Sequence, residues 1–222
     1  MKQEYLKKYV SIISLLSLIV LIFSIDSYAQ NGNTMTVKDR ESFIKILSGR
    51  AASVNTLSAE FRQTKNMEML KNDMISEGKF FYEKSNKIAF MYERPGKYSM
   101  VMNGSFIRMS TKSGSSVMDL SANPVMKQMN DLISAVFTGA LDNMSVNYNV
   151  DFELNGDKIF ALVKPKSTRI SAIVSQIKIA FNKHSGDINE IVITEGSGSS
   201  TKYIFYNQII NQPIRNEIFT IN

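Results

Sequence analysis

The sequence predicts a mainly β, α+β fold: one strongly curved, partly closed antiparallel sheet carrying a few short helices. Three observations lead there. Short runs of alternating apolar and polar residues recur from residue 57 to the end of the chain, and turn-forming pairs such as Pro95-Gly96, Asn103-Gly104 and Asn155-Gly156 separate them. Helical spacing occurs in only two substantial stretches. About ten strands with two or three helices suit a single bent sheet better than a sandwich.

The first residues stand apart from this pattern. Lys2, Lys7 and Lys8 precede an apolar run over residues 10–23, and Ser27-Tyr28-Ala29 offers the small residues a signal peptidase needs. A signal peptide over 1–29, cleaved near Ala29, and a single exported domain over 30–222 are therefore expected. An uncleaved anchor is the alternative, but the run is shorter than the roughly 20 residues of a spanning helix. The chain has no cysteine, so it has neither an acylation site nor a disulfide, and a packed core or a ligand must stabilise it. Its formal charge is +6, and losing the three lysines with Glu4 and Asp26 leaves +5. That balance suits an anionic membrane surface or an acidic partner. Scattered Lys and Arg without an aromatic-basic cluster give no sign of nucleic acid.

In chain order, Thr36 and Asp39 form a capping pair, and Phe43, Ile44, Leu47, Ala51 and Val54 follow on one helical face ending near Asn55. Leu57, Ala59, Phe61 and Gln63 alternate with polar residues, which predicts the first strand. Residues 65–73 are less regular and read as a second strand or hairpin. Residues 76–108 read as a meander: Phe80, Tyr82 and Lys84 share one face, as do Ile88, Phe90 and Tyr92. A hairpin around Lys112-Ser113-Gly114 comes next. Asn123, Pro124 and a stripe of Met129, Leu132, Ile133 and Val136 predict a second amphipathic helix ending at Gly139, a plug or a lid for one end of the sheet. Strands resume with Val146, Tyr148, Val150 and Phe152, then residues 159–163, then Ile177, Ile179 and Phe181, then residues 191–194 and 203–206. A last strand is expected at 217–221.

Catalytic signals are poor. His184 is the only histidine and stands beside the turn Ser185-Gly186, where an exposed turn residue is the plain reading and acid–base or metal work the sharper one. No G-x-S-x-G elbow, cysteine nucleophile or complete glycine-rich phosphate loop is present. Glu77, Glu83, Glu93, Asp119 and Asp151 read as solvated outer faces. No enzyme, cofactor or metal is expected. The apolar composition is more telling: 13 Met and 13 Phe with no Trp, and Met100 and Met102 join the Phe80–Tyr92 face. Methionine re-packs readily, which suits either an irregular core or a surface that accepts variable apolar ligands.

The run Leu57-Ser58-Ala59-Glu60-Phe61-Arg62-Gln63, then Gly78, then Ile88-Ala89-Phe90-Met91-Tyr92 leading to Pro95, then Asn103-Gly104, resembles the LolA family of periplasmic outer-membrane lipoprotein carriers. Lys164-Pro165-Lys166 and the Phe181 to Ile188 turn agree, so the resemblance spans nearly all of residues 37–221. It implies an incomplete β-barrel of about 11 strands, its apolar cavity covered by short helices. Such a carrier holds the acyl chains of lipoproteins between an inner-membrane lipoprotein-releasing ABC transporter and an outer-membrane acceptor. On this resemblance the acyl-chain cavity is expected at Phe61, Phe80, Tyr82, Ile88, Phe90, Tyr92, Met100 and Met102. The lid is expected at Phe43, Leu47, Met129, Leu132, Ile133 and Val136. The family's arginine latch to lid backbone maps to Lys84, which keeps the charge but not the planar fork. A periplasmic monomer follows. A LolA-like envelope sensor of lipid or lipoprotein, or a small envelope hydrolase, are the competing readings.

Overall fold

A computed structural model of the chain describes residues 33–67, 72–84, 86–121, 127–128, 131–132, 135 and 141–221. The proposed signal segment, and Met129, Ile133 and Val136 of the second helix, lie outside them. Helix α1 (Val37–Ser53) begins as its cap predicts: the Thr36 hydroxyl oxygen accepts from the Asp39 N–H at 3.2 Å and its hydroxyl donates to the Asp39 carboxylate at 2.6 Å. Phe43 and Leu47 lie four residues apart, hence on one face, and both are buried.

Among the described residues twelve strands follow or flank it: β1 (Asn33–Thr34), β2 (Thr56–Asn66), β3 (Met74–Glu83), β4 (Lys87–Arg94), β5 (Tyr98–Asn103), β6 (Phe106–Thr111), β7 (Gly114–Asp119), β8 (Tyr148–Asn155), β9 (Lys158–Pro165), β10 (Val174–Asn182), β11 (Ile188–Glu195) and β12 (Ser200–Ile210). They form one antiparallel sheet in the order β1-β8-β9-β10-β11-β12-β2-β3-β4-β5-β6-β7. The last strand pairs with the first long one, Phe205 opposite Phe61, so the two halves of the chain join at the middle of the sheet. β1 and β7 are its edges and do not pair, which makes this the expected incomplete, curved barrel.

Glycine sets two of the local geometries. At Gly78, where the β3–β4 register shifts, a Cβ would lie 2.1 Å from the Met91 carbonyl oxygen, so no side chain fits. In the hairpins, Asn103 and Asn155 are the last paired residues of their strands, and Gly104 (φ 60°) and Gly156 (φ 59°) take the positive-φ position of the loop. The Asn-Gly signals thus sit one residue earlier in the loop than an Asn-Gly centre would.

The expected last strand is replaced by a 3-10 turn, Asn216–Phe219. Residues 214–221 lie on the convex face, where Phe219 packs against the small outward residues Ala89 and Val101, with Phe81 and Met91 alongside. The Asn103 side-chain amide donates to the Phe219 carbonyl at 3.1 Å. The apolar spacing there came from docking onto a sheet, not from pairing within one. A second unforeseen element, helix α2 (Thr168–Ser171), lies between β9 and β10. Elsewhere the convex face carries ion pairs. Glu77 takes both Arg62 and Arg94 at 2.7 Å, tying β2, β3 and β4 together, and the pair holds its carboxyl below the ordinary glutamate value.

Candidate functional site

The concave face is a continuous apolar surface, and strand alternation builds it. Ala59 and Phe61 of β2, Phe80 and Tyr82 of β3, Ile88, Phe90 and Tyr92 of β4 and Met102 of β5 all point inward and are buried, while Met100 is half-buried against them. Phe61 meets Phe90 and Tyr92 edge-to-face, with centroids 5.3 and 5.0 Å apart, and Phe80 meets Phe90 at 5.0 Å and Phe205 at 5.2 Å. Ile88 lies opposite Met102 and Phe90 opposite Met100. All eight residues expected to form a cavity wall are therefore neighbours on one face.

Sequence reasoning confined that wall to β2–β5, whereas the same face continues across the other half of the sheet. Phe152, Ile177, Ile179, Phe181, Ile191 and Phe205 belong to one cluster with Phe61 and Phe80. Their period-two spacing was visible; that β12 pairs with β2 was not.

Helix α1 lies across this face. Phe43 sits between Phe152 and Phe181, edge-to-face at 6.0 and 5.6 Å, and Leu47 is buried in the same cluster. Of the second helical stretch, residues 127–128, 131–132 and 135 are helical; Leu132 is buried in the cluster and the Tyr148 hydroxyl donates to the Gln128 carbonyl at 3.1 Å.

The C-terminal end of α1 is held by polar contacts from three turns, one of them through Asn211, whose side-chain amide donates to the Ser53 carbonyl at 3.0 Å and accepts from the Asn55 N–H at 2.8 Å. The Lys84 ammonium donates to the Ala52 carbonyl at 3.2 Å, and the Lys84 N–H to the Asn55 carbonyl at 2.7 Å. On the other side Arg50 pairs with Asp187 of the β10–β11 turn at 2.5 Å. A cation at a helix C-terminus also meets the negative end of the helix dipole. Beneath this end lies a cleft lined by Leu47, Val54, Leu57, Phe80, Tyr82 and Phe205 among others, with about 40 Å³ of free space, enough for a few water molecules at most. A second hollow of about 210 Å³ flanks the N-terminal half of α1, between Met35, Ile46, Leu154, Lys183 and His184. Both hollows border α1, and the first reaches Phe80, Tyr82 and Phe205 of the ring cluster.

At the other end of the concave face the lining becomes polar. The Tyr92 and Tyr203 hydroxyls are 3.4 Å apart, Tyr98 stacks on Tyr92 at 4.0 Å, and the Gln63 side-chain oxygen is buried with no partner. Burial pushes the Tyr92, Tyr98 and Tyr203 phenols up, so all three stay protonated. His184 is exposed in its turn. Among the described residues no group of three or more His, Asp or Glu is placed to hold a metal ion.

Residues 52–222 match the family model described as outer membrane lipoprotein carrier protein LolA. No curated protein sequence matches the chain. Among solved structures, a LolA superfamily protein from Nitrosomonas europaea aligns at 9% identity over 81% of this chain and 96% of that one, with a TM-score of 0.43. Lipoprotein LppX from Mycobacterium tuberculosis aligns at 11% identity over 81% and 99%, TM-score 0.46. The MucA/MucB complex of Pseudomonas aeruginosa aligns at 9% identity over 81% of this chain and 60% of that one, TM-score 0.49.

Proposed function

Since the chain belongs to the LolA family, the outer membrane lipoprotein carrier proteins, we propose that it is a periplasmic, non-catalytic, monomeric carrier. It is exported by residues 1–29, shelters the acyl chains of lipoproteins against its concave face, and passes them from an inner-membrane ABC transporter to an outer-membrane acceptor. The observation that carries this reading is α1: a helix laid over a continuous apolar face, inserted by Phe43 and Leu47 and fastened at its C-terminal end by Lys84 and Arg50.

Phe43 and Leu47 of α1 occupy the concave face in this state, so uptake means exchanging α1 for hydrocarbon. Lifting Phe43 and Leu47 into water costs about 3–6 kcal/mol, and the polar ties add about 1 kcal/mol. Ten methylenes leaving water return about 8 kcal/mol. The exchange is favourable but not by much, which suits a carrier that must also release. Phe61, Phe80, Tyr82, Ile88, Phe90, Tyr92, Met100 and Met102 would then face the chains, with Phe43, Leu47 and Leu132 on the displaced side and Lys84 as the latch.

Native mass spectrometry of protein purified from its own cells tests the proposal. Co-purified acyl lipid or acylated protein is the expected result. Ligand-free protein, with no fluorescence-detected binding of a dodecanoyl probe, would remove it.

A further inference from the structure

The polar end of the concave face has a feature that packing alone does not account for. Gln63 follows Ala59 and Phe61 on the inward side of β2, lies opposite Tyr203 of β12 and Ser76 of β3, and its side-chain oxygen is buried without a hydrogen-bond partner. A buried acceptor left unmade is destabilising, and an apolar residue of similar length in its place would remove that penalty. On the neighbouring strands stand hydroxyl groups able to donate: Tyr203, opposite Gln63, and Tyr92, 3.4 Å apart, with Tyr98 stacked on Tyr92. Beyond them begins the wall of Phe61, Phe90 and Phe80.

An acceptor in need of a donor, beside hydroxyls that can serve an acceptor, at the margin of an apolar trough, matches a group with an N–H and a C=O attached to hydrocarbon. We propose that Gln63, with Tyr203 and Tyr92, forms a subsite for the amide that joins an acyl chain to its headgroup: the Gln63 oxygen accepts the amide N–H and a tyrosine hydroxyl donates to the amide carbonyl. The subsite gives a carrier a way to distinguish N-acylated cargo from free hydrocarbon or simple esters. It rests on the acyl-carrier reading above.

The test uses two probes differing only in the donor, N-methyldodecanamide and methyl dodecanoate, with the full mature protein and its Gln63→Leu variant. The ratio of the two affinities is compared between proteins, so the probes' different hydration cancels. The native protein is expected to favour the amide by about tenfold more than Gln63→Leu does, and Gln63→Leu is expected to unfold at higher urea than the native protein. An unchanged ratio overturns the subsite, as does a Gln63→Leu variant that is less stable, because Gln63 would then be a packing residue. Tyr203→Phe, which keeps the ring, should weaken both probes through the shared carbonyl; no effect on either removes the tyrosine from the subsite. If neither probe binds the native protein at all, the carrier reading itself fails and the subsite with it, a result distinct from equal binding of both.

Discussion

The Lys84 ammonium reaches the Ala52 carbonyl at 3.2 Å, joining the turn between β3 and β4 to the last turn of α1. Lys84 is exposed, so the contact is weak in free-energy terms, and its position gives it meaning. Together with Arg50–Asp187 it fastens the one end of α1 under which the apolar cleft lies.

Loosening those ties should favour the open, ligand-binding arrangement. Lys84→Met is expected to lower the stability of the closed state by about 0.5 kcal/mol and tighten apparent acyl-probe affinity about twofold. Combined with Asp187→Asn, the gain should reach about fivefold. Hydrogen exchange of amides 50–55 should quicken in step. Weaker binding with faster exchange would show that α1 is part of the binding wall and not its cover.

The ring cluster should behave as a packed core when no ligand is present. Phe61→Ala is expected to cost about 4 kcal/mol in urea unfolding, from lost transfer energy and the space left behind. Phe90 lies among Phe61, Phe80 and Tyr203, so Phe90→Glu would bury a carboxylate and unfold the protein. Phe90→Leu keeps the face apolar at about 1.5 kcal/mol or less, and acyl-probe affinity measured on that folded variant reports on the wall itself.

Two glycines predict opposite outcomes for the same substitution. Gly78→Ala drives a Cβ into the Met91 carbonyl and should lower stability by about 3 kcal/mol. Gly49→Ala, on the exposed side of α1 with open space around it, should raise stability by about 0.8 kcal/mol through helix propensity. Urea midpoints of the two variants check both signs.

Glu77 provides an acid-sensitive tie across three strands. Its folded-state pKa is lowered, first by the Arg62 hydrogen bond, so its stabilisation is fully present above the ordinary value of 4.5 and is lost as pH falls through the lower folded value. Glu77→Gln should therefore be less stable than the native protein at pH 6 and converge with it in strong acid. A difference in urea midpoint that does not change with pH would deny the ion pairs a role.

Local pattern alone placed most of this architecture. Period-two alternation located β2 through β6 and the inward identity of Phe61, Phe80, Phe90 and Tyr92, because a strand's side chains must alternate whatever it pairs with. The Thr36 cap and the Phe43–Leu47 spacing located α1 for the same kind of reason. The 217–221 segment shows where that logic stops: its apolar residues satisfy a sheet face by docking on Ala89 and Val101, and one-dimensional spacing does not distinguish docking from pairing. Strand partnership was likewise beyond reach. Only the pairing of β12 with β2 brought Phe205 and Tyr203 onto the wall and set Tyr203 opposite Gln63, since contacts between residues far apart in sequence depend on loop closure and register and leave no periodic mark; Lys84 as a tie to the helix came from the family resemblance and not from any spacing.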